Sequence, residues 1–371
     1  MHSDNKIDNA DIGDFAKMMA VFAVITQSVI SFFMNTKLAL GQQFFLGGIY
    51  EAVKYSAPAF IFGILFSTTR THPHATLRNY PSFMLNRWHI LFIPTIWWTL
   101  IYLIFLPQLQ QHLHYHSCLT FCWQFISGNA APHLWYNTMM LQFIILMPFF
   151  WWLARLVANH PFCGIIIFCC TLLIELGWYY GYKLQVFHGP HRDNWYLVDR
   201  FFLSFLIYAI AGVLLWQFHS KVLPFLAGHW LAQIISWLAF FYFIVINFFN
   251  YGAPVRLANA PYYLPSMIFY NLSTISLIST EMTFLQKRRN QWLPFIHWIA
   301  LYAYRAYLSH VFWLYWSWKV YTRLPFTCSL TIAFPLLTLI TIFLSFLSAY
   351  GLHFIWINLK ELTNANKIIN G

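Results

Sequence analysis

Residues 15–34 have the sequence FAKMMAVFAVITQSVISFFM, in which Lys17 is the one charged side chain. About 20 consecutive apolar residues allow an α-helix to cross the ~30 Å hydrocarbon core of a bilayer with its backbone hydrogen bonds satisfied internally. The stretch is therefore predicted to be a transmembrane helix. It also carries Gln27 and Ser28 at mid-depth, where polar side chains are costly and suggest a function.

Similar apolar segments recur along the whole chain. Its 371 residues are 60% hydrophobic, 21% aromatic and only 8% charged, which is more apolar surface than a soluble domain of this length could bury. The predicted fold is an all-α polytopic membrane protein, a single membrane-embedded domain over residues 1–371 with a bundle of about ten transmembrane helices. The predicted spans lie near 15–34, 50–68, 88–107, 134–157, 162–182, 200–218, 226–250, 263–284, 294–317 and 328–357.

The distribution of basic residues predicts that both termini are cytoplasmic. With the N-terminus inside, the loop 108–133 lies outside and has no Lys or Arg. The net charge of +11 is then assigned to inner-face anchoring and anionic lipid, so no nucleic-acid partner is expected. The loops assigned to the cytoplasm contain Arg70, Arg78, Arg87, Arg155, Lys221 and the cluster Lys287, Arg288 and Arg289.

Ionisable residues inside the predicted spans are candidate functional groups. Glu51 and Lys54 are three residues apart on one helix, which fits a local ion pair. His310, in the segment YAYRAYLSHVFWLYW at 302–316, is either a base or a structural, hydrogen-bonded histidine. Structural hydrogen bonds and a role in a polar cavity both stay open for Glu175 and Glu281.

A further histidine, His133, opens the helix that begins HLWY at 133–136. Trp135 and Tyr136 are expected to be anchors at headgroup level, and His133 facing the bundle could act on a hydroxyl arriving from outside. The loop histidines His112, His114 and His116 precede Cys118 but match no compact tetrahedral pattern, so no metal is expected.

Five short motifs occur in an order and at a spacing that resemble those of the membrane-bound acyltransferase 3 family over nearly the whole chain. The resemblance is strongest to the shorter ten-helix members of the intercellular adhesin C and O-acetyltransferase type. It implies an O-acyltransferase that moves an acetyl or succinyl group from cytoplasmic acyl-CoA to a hydroxyl of an extracytoplasmic cell-envelope polysaccharide or glycan. The motifs are DFAK at 14–17, SAPAFIFGILFS at 56–67, NRW at 86–88, HLWY at 133–136 and AYLSH at 306–310.

The same resemblance implies a multi-pass protein of the bacterial plasma membrane. Its implied partners are the bilayer, the glycan acceptor and polysaccharide synthase machinery, and its donor substrate is acetyl-CoA or succinyl-CoA. The implied contacts to the CoA phosphates are Lys17, Arg87 and Arg78, because point charges and helix ends suit anions.

The family's signature places a basic residue at the start of the first helix and a histidine after ten intervening residues. Lys17 fits the first position, but counting on leads to Ser28, with Gln27 beside it. Three alternatives follow. Either another base takes the role, with His310 and His133 as candidates; or Ser28 becomes an acyl carrier activated by a histidine from another helix; or transfer has been lost and the protein assists polysaccharide export or flipping.

Overall fold

The computed structural model describes residues 10–112, 114–325 and 328–369, and all regular structure within these ranges is helical. The prediction of an all-α membrane protein is confirmed. The α-helices are α1 (Ile12–Met34), α2 (Leu40–Ala52), α3 (Ser56–Thr71), α4 (Tyr80–Arg87), α5 (Ile93–Phe105), α6 (Cys118–Ser127), α7 (Leu134–Ile145), α8 (Met147–Asn159), α9 (Pro161–Tyr182), α10 (Leu206–Gln217), α11 (His219–Gly228), α12 (Trp230–Phe249), α13 (Pro265–Lys287), α14 (Leu293–Tyr321) and α15 (Leu330–Ile369).

Six helical segments of the described chain are long and apolar enough to cross a membrane, and the number rises to eight if two bent pairs each count as one span. The bends are 56° between α7 and α8 and 101° between the segment Phe202–Gln217 and α11. The two other predicted spans coincide with α13 and α14, which have 23 and 29 residues and are long enough to cross. The count of about ten and the orientation of the termini stay predictions.

The predicted span at 50–68 is broken between α2 and α3. Pro58 lies in the first turn of α3. Its ring clashes with a carbonyl four residues earlier, and it has no N–H to donate, so a continuous helix through Lys54 is disfavoured. Lys54, in the break, donates to the carbonyl oxygens of Ala260 and Pro261.

Helix α1 lies at the centre of the bundle, packed against α3 and α14. Asp11 caps its first turn by accepting a hydrogen bond from the Asp14 amide at 2.6 Å, and the Asp14 carboxylate accepts one from the Asp11 amide. A Cβ on Gly63 of α3 would meet the carbonyl oxygen of Gly13 at 2.7 Å, so small residues let the two backbones touch. This close packing fixes the rotation of α1.

Side-chain contacts show the directions of α3 and α14 relative to α1. Arg70, near the end of α3, binds Asp11 at the start of α1 at 2.6 Å, so these helices are antiparallel. His297, near the start of α14, lies 2.8 Å from Asp14, and His310 lies opposite Ser28 farther along. Helices α1 and α14 therefore run in the same direction, side by side.

Candidate active site

Ser28 of α1 and His310 of α14 form a hydrogen-bonded pair. The serine Oγ lies 2.9 Å from the histidine Nε2. The other ring nitrogen, Nδ1, faces the carbonyl oxygen of Tyr307 one turn back on the same helix, and that oxygen can only accept. The proton of the neutral ring therefore sits on Nδ1, and Nε2 presents a lone pair to the serine hydroxyl.

His133 lies beside this pair. Its ring centroid is 4.7 Å from that of His310, and the Tyr307 hydroxyl donates to its carbonyl oxygen. Its Nε2 is 3.3 Å from the carbonyl oxygen of Leu308, so Nε2 carries the proton. Its Nδ1 is then a buried acceptor with no hydrogen-bond partner among the described residues. The structure thus brings together the three residues predicted as catalytic.

Gln27 has a different task. Its amide nitrogen donates to the carbonyl oxygen of Val53 at 2.7 Å, and its amide oxygen accepts from the Tyr262 hydroxyl at 2.6 Å. The Ser56 hydroxyl lies 3.5 Å from the same oxygen. Gln27 therefore ties α1 to the break before α3 and to the segment before α13. Of the two polar residues at mid-depth in α1, Ser28 is the one placed for chemistry.

Ser28 of this pair lines a cavity of about 590 Å³, a size common for small-molecule sites, and His310 is buried behind it. Ser28 and His133 line its depth, and the exposed residues Asn35 and Gln108 lie at its mouth. No Asp, Glu, Lys or Arg occurs among the described residues that line it. Its aromatic walls are formed by Phe32, Tyr50, Phe60, Trp135, Tyr136, Tyr262, Tyr307, Tyr315 and Trp318.

The interpretation of Tyr136 as a headgroup anchor is wrong. Its side chain is buried between the rings of Phe60 and Tyr307, with centroids 5.9 Å and 5.6 Å away. It lines the cavity, and its buried hydroxyl has no partner within the described part of the chain. The signal that could have found it is its spacing. It follows His133 by three residues, so the two side chains project from neighbouring positions of one helix face.

The buried pair Glu51 and Lys54 is confirmed, with 3.7 Å between the ammonium nitrogen and the nearer carboxylate oxygen. Lys54 also lies 5.1 Å from the centroid of the Tyr262 ring and donates to the Pro261 carbonyl oxygen at 2.7 Å. The ion pair therefore holds in place the segment that supplies one aromatic wall of the cavity. Glu175 makes a structural hydrogen bond through one oxygen, which accepts from the Ile207 amide at 2.7 Å, while its other buried oxygen has no partner within the described residues.

The opposite end of α1 is charged. Asp14 lies 2.8 Å from the Lys17 ammonium group and 2.8 Å from the His297 ring. Asp11 binds Arg70. Lys17, predicted as a phosphate contact, is thus already paired with a carboxylate. The cavity lining on α1 runs from Val24 to Asn35 among the described residues and does not reach it.

A second cleft, of about 400 Å³, lies at this charged end, between the end of α3 and α4. Arg87 stands beside it, with its guanidinium 4.9 Å from the Phe83 ring and its buried Nε without a partner in the described ranges. Burial, with a contribution from the Arg87 charge, lowers the pKa of His72, which lines the cleft. Arg78 is exposed in the short turn Leu77–Asn79 nearby.

A family model for an acyltransferase domain, acyltransferase 3, matches residues 14–353. The chain belongs to the acyltransferase 3 family. This membership supports acyl transfer to an acceptor as the activity and, with the apolar helices, a multi-pass membrane protein. No curated protein and no solved structure gives a significant match. The described residues contain no group of three His, Cys, Asp or Glu side chains that could hold a metal ion.

Proposed function

We propose that this acyltransferase moves an acyl group, acetyl or succinyl, from acyl-CoA to a hydroxyl of an uncharged glycan outside the bacterial plasma membrane. One observation carries the proposal. The Ser28 hydroxyl lines an aromatic cavity whose described lining has no Asp, Glu, Lys or Arg, and the buried His310 Nε2 lies 2.9 Å behind it. A base within hydrogen-bond reach of a hydroxyl is the arrangement that acyl transfer needs.

The walls of the cavity suit a neutral sugar. Aromatic faces such as those of Trp135 and Tyr262 pack against the apolar faces of sugar rings. Gln108, Gln110 and Gln111 offer amides near the mouth, and the buried Nε2 of Gln110 has no partner within the described residues. A carboxylate or ammonium group on the acceptor would enter without an opposite charge to pair with, which is costly. The acceptor we propose is therefore uncharged.

The donor needs a different environment, because CoA carries phosphates. We place these at the cleft beside Arg87, whose unpartnered guanidinium Nε is a donor without an acceptor. Arg78 and His72 add positive or polar groups around the same cleft. Lys17 contributes less to this proposal, since Asp14 offsets its charge. Donor phosphates and acceptor sugar would thus bind at opposite ends of α1, and the thioester arm of the donor would have to reach Ser28 past the packed residues Ala20 and Val21.

The alternative, assistance in polysaccharide export without catalysis, calls for a groove that continues along the bundle. The described lining of the cavity on α1 ends at Val24, about halfway along the helix. Farther along, Ala20 and Val21 are fully buried in packed contacts. The cavity is therefore better suited to a bound glycan segment than to a passing chain.

The decisive measurement is the ester content of envelope polysaccharide, determined by mass spectrometry under conditions that preserve esters. Cells without the gene would be complemented with the wild-type chain, with His310→Ala, or with His353→Ala. His353 is a helical histidine 2.9 Å from the Tyr302 hydroxyl, and Tyr302, unlike the Ser28 partner of His310, does not line the cavity, so its variant is a matched control.

We expect O-acyl esters with the wild type and with His353→Ala, and none with His310→Ala, at an unchanged amount of polymer. Esters that persist without the gene, together with polymer retained inside the cells, would replace the enzyme by an export protein.

A further inference from the structure

We infer that Ser28 carries the acyl group as a covalent ester between donor and acceptor; this inference rests on the function proposed above. A nucleophile, a base and a group that orients the base are all present: the Ser28 hydroxyl, the His310 Nε2 and the Tyr307 carbonyl oxygen. The last of these holds the Nδ1 proton and leaves Nε2 free to take the serine proton. The arrangement has the geometry of a serine nucleophile with its base, on an unrelated helical fold.

The other serines of the cavity lack this arrangement. Ser31 donates to the carbonyl oxygen of Gln27 on its own helix, and Ser56 lies within reach of Gln27 and Tyr262. Neither has a histidine partner among the described residues. Ser28 also reaches the carbonyl oxygen of Val24 at 3.0 Å, a bond that keeps its hydroxyl oriented when His310 is not accepting from it. The site therefore selects one serine.

A carrier also lets donor and acceptor use the cavity one after the other. The cavity of about 590 Å³ is a size that suits one small ligand, and its described lining gives no cation for CoA phosphates. Ser28 lies about 16 Å along α1 from Lys17, at 1.5 Å per residue. With the acyl group stored on Ser28, the donor can leave before the acceptor occupies the cavity.

The first step forms one bond and breaks one. The Ser28 oxygen attacks the thioester carbon of acyl-CoA while His310 Nε2 takes the hydroxyl proton. A carbon–oxygen bond forms, the carbon–sulfur bond breaks, and the departing thiolate receives the proton from His310. The products are acyl-Ser28 and free CoA, with a neutral imidazole restored.

The second step returns the serine. The acceptor hydroxyl attacks the carbonyl carbon of acyl-Ser28, and His310 Nε2 takes its proton. The bond between that carbon and the Ser28 oxygen breaks, and the proton passes to this oxygen. The products are the glycan ester and free Ser28, so no oxidant, reductant or metal is consumed.

Two buried polar atoms without partners in the described chain fit these steps. The Tyr136 hydroxyl can donate to the carbonyl oxygen, where negative charge develops in both steps. The His133 Nδ1 can accept a hydrogen bond from the acceptor hydroxyl and orient it. Unpaired groups of this kind are costly in a protein interior and are explained by a ligand that pairs with them.

The test uses the purified full chain in lipid nanodiscs and acetyl-CoA with an isotopically labelled acetyl group. The enzyme is incubated without acceptor, quenched in acid, digested and examined by mass spectrometry; a second portion receives a neutral N-acetylglucosamine oligosaccharide before quenching. We expect one labelled acetyl group on the peptide that contains Ser28, and its transfer to the oligosaccharide in the chase.

Variants sharpen the result. Ser28→Ala should carry no label and lose turnover by about 10²-fold or more. Ser28→Cys should carry the label as a thioester that neutral hydroxylamine removes. Ser279→Ala is the matched control, because Ser279 is a buried helical serine that donates to the carbonyl oxygen four residues back, as Ser28 does. It should label like the wild type.

The outcomes separate the two proposals. Product without label, with full turnover by Ser28→Ala, would overturn the serine carrier and leave the acyltransferase in place. Neither label nor product from the wild-type chain, with neutral oligosaccharide and acetyl-CoA or succinyl-CoA present, would overturn both.

Discussion

The two ends of α1 differ in almost every chemical respect. In the first turns Asp11 and Asp14 bind Arg70, Lys17 and His297 in a network of charges at the end of the bundle. In the second half, the cavity into which Ser28 faces has no Asp, Glu, Lys or Arg in its described lining. The first turns of α1 thus form ion pairs with neighbouring helices, and its second half lines an uncharged cavity.

The difference shows how the ion pairs at one end of α1 position the reacting groups at the other end. Asp14 precedes Ser28 by 14 residues, and His297 precedes His310 by 13, while each pair meets across the two parallel helices. At 1.5 Å per residue both helices therefore rise about 20 Å between the two contacts. The ionic contact at one end sets the register that brings hydroxyl and imidazole together at the other.

The largest effect is expected at the uncharged end, from His310→Ala in the purified enzyme. Removal of the base should lower the turnover number by about 10² to 10⁴-fold, because nothing then takes the hydroxyl proton. The turnover number is measured as the transfer of labelled acetyl groups from acetyl-CoA to a neutral oligosaccharide. Full turnover in this variant would show that His310 is not the base, and the uncharged end of α1 would then have no assigned catalytic group.

Tyr136→Phe comes next. Loss of a hydrogen bond to the developing oxyanion should lower the turnover number by about 10²-fold and leave the KM for acyl-CoA nearly unchanged. Thermal stability should not fall, since the hydroxyl has no partner within the described chain. An unchanged turnover number with unchanged folding would show that this phenol only fills space.

Arg87→Ala tests the charged end. A charged hydrogen bond of about 1.5 to 3 kcal/mol to a phosphate corresponds to a rise of about tenfold or more in the KM for acyl-CoA, at an unchanged rate when donor saturates. Arg323→Ala, at an exposed site past the end of α14, is the control. If the dependence on acyl-CoA concentration stays the same, Arg87 is not a phosphate ligand, and the donor must bind elsewhere.

The smallest effect on the ratio of turnover number to KM is expected from Asp14→Asn. This change weakens the contacts of Asp14 with Lys17 and His297 and should lower the unfolding free energy by about 2 kcal/mol. The ratio of turnover number to KM should fall less than in the other three variants, because the register loosens but every reacting group remains. Unfolding curves in detergent provide the measurement, with Asp193→Asn in an exposed segment as the control. Identical curves would show that packing alone sets the register.

Particular residues show how far the sequence predicts the site. Ser28, His310 and His133 were predicted from polarity at depth and from motif spacing, and the structure brings all three together. Tyr136 was misplaced, because an aromatic residue beside a helix start looks the same whether it faces lipid headgroups or a cavity. The pairing of Lys17 with Asp14 is local, whereas the contact of the same carboxylate with His297 is hidden, because His297 is distant in sequence.

The sequence by itself determined the class of structure. Apolar runs of about 20 residues can only be helices in a bilayer, where no water satisfies the backbone, and the breaks follow from local chemistry such as Pro58. These are short-range effects, and a short-range reading of the chain recovers them.

Only the tertiary structure decided which groups meet. Ser28 and His310 are 282 residues apart, and their contact depends on the rotation and register of two helices. A rotation by one residue would turn either side chain by about 100° and separate them. That rotation is set by the close approach of Gly13 and Gly63 and by the ion pairs around Asp14, interactions among many segments that no single stretch encodes.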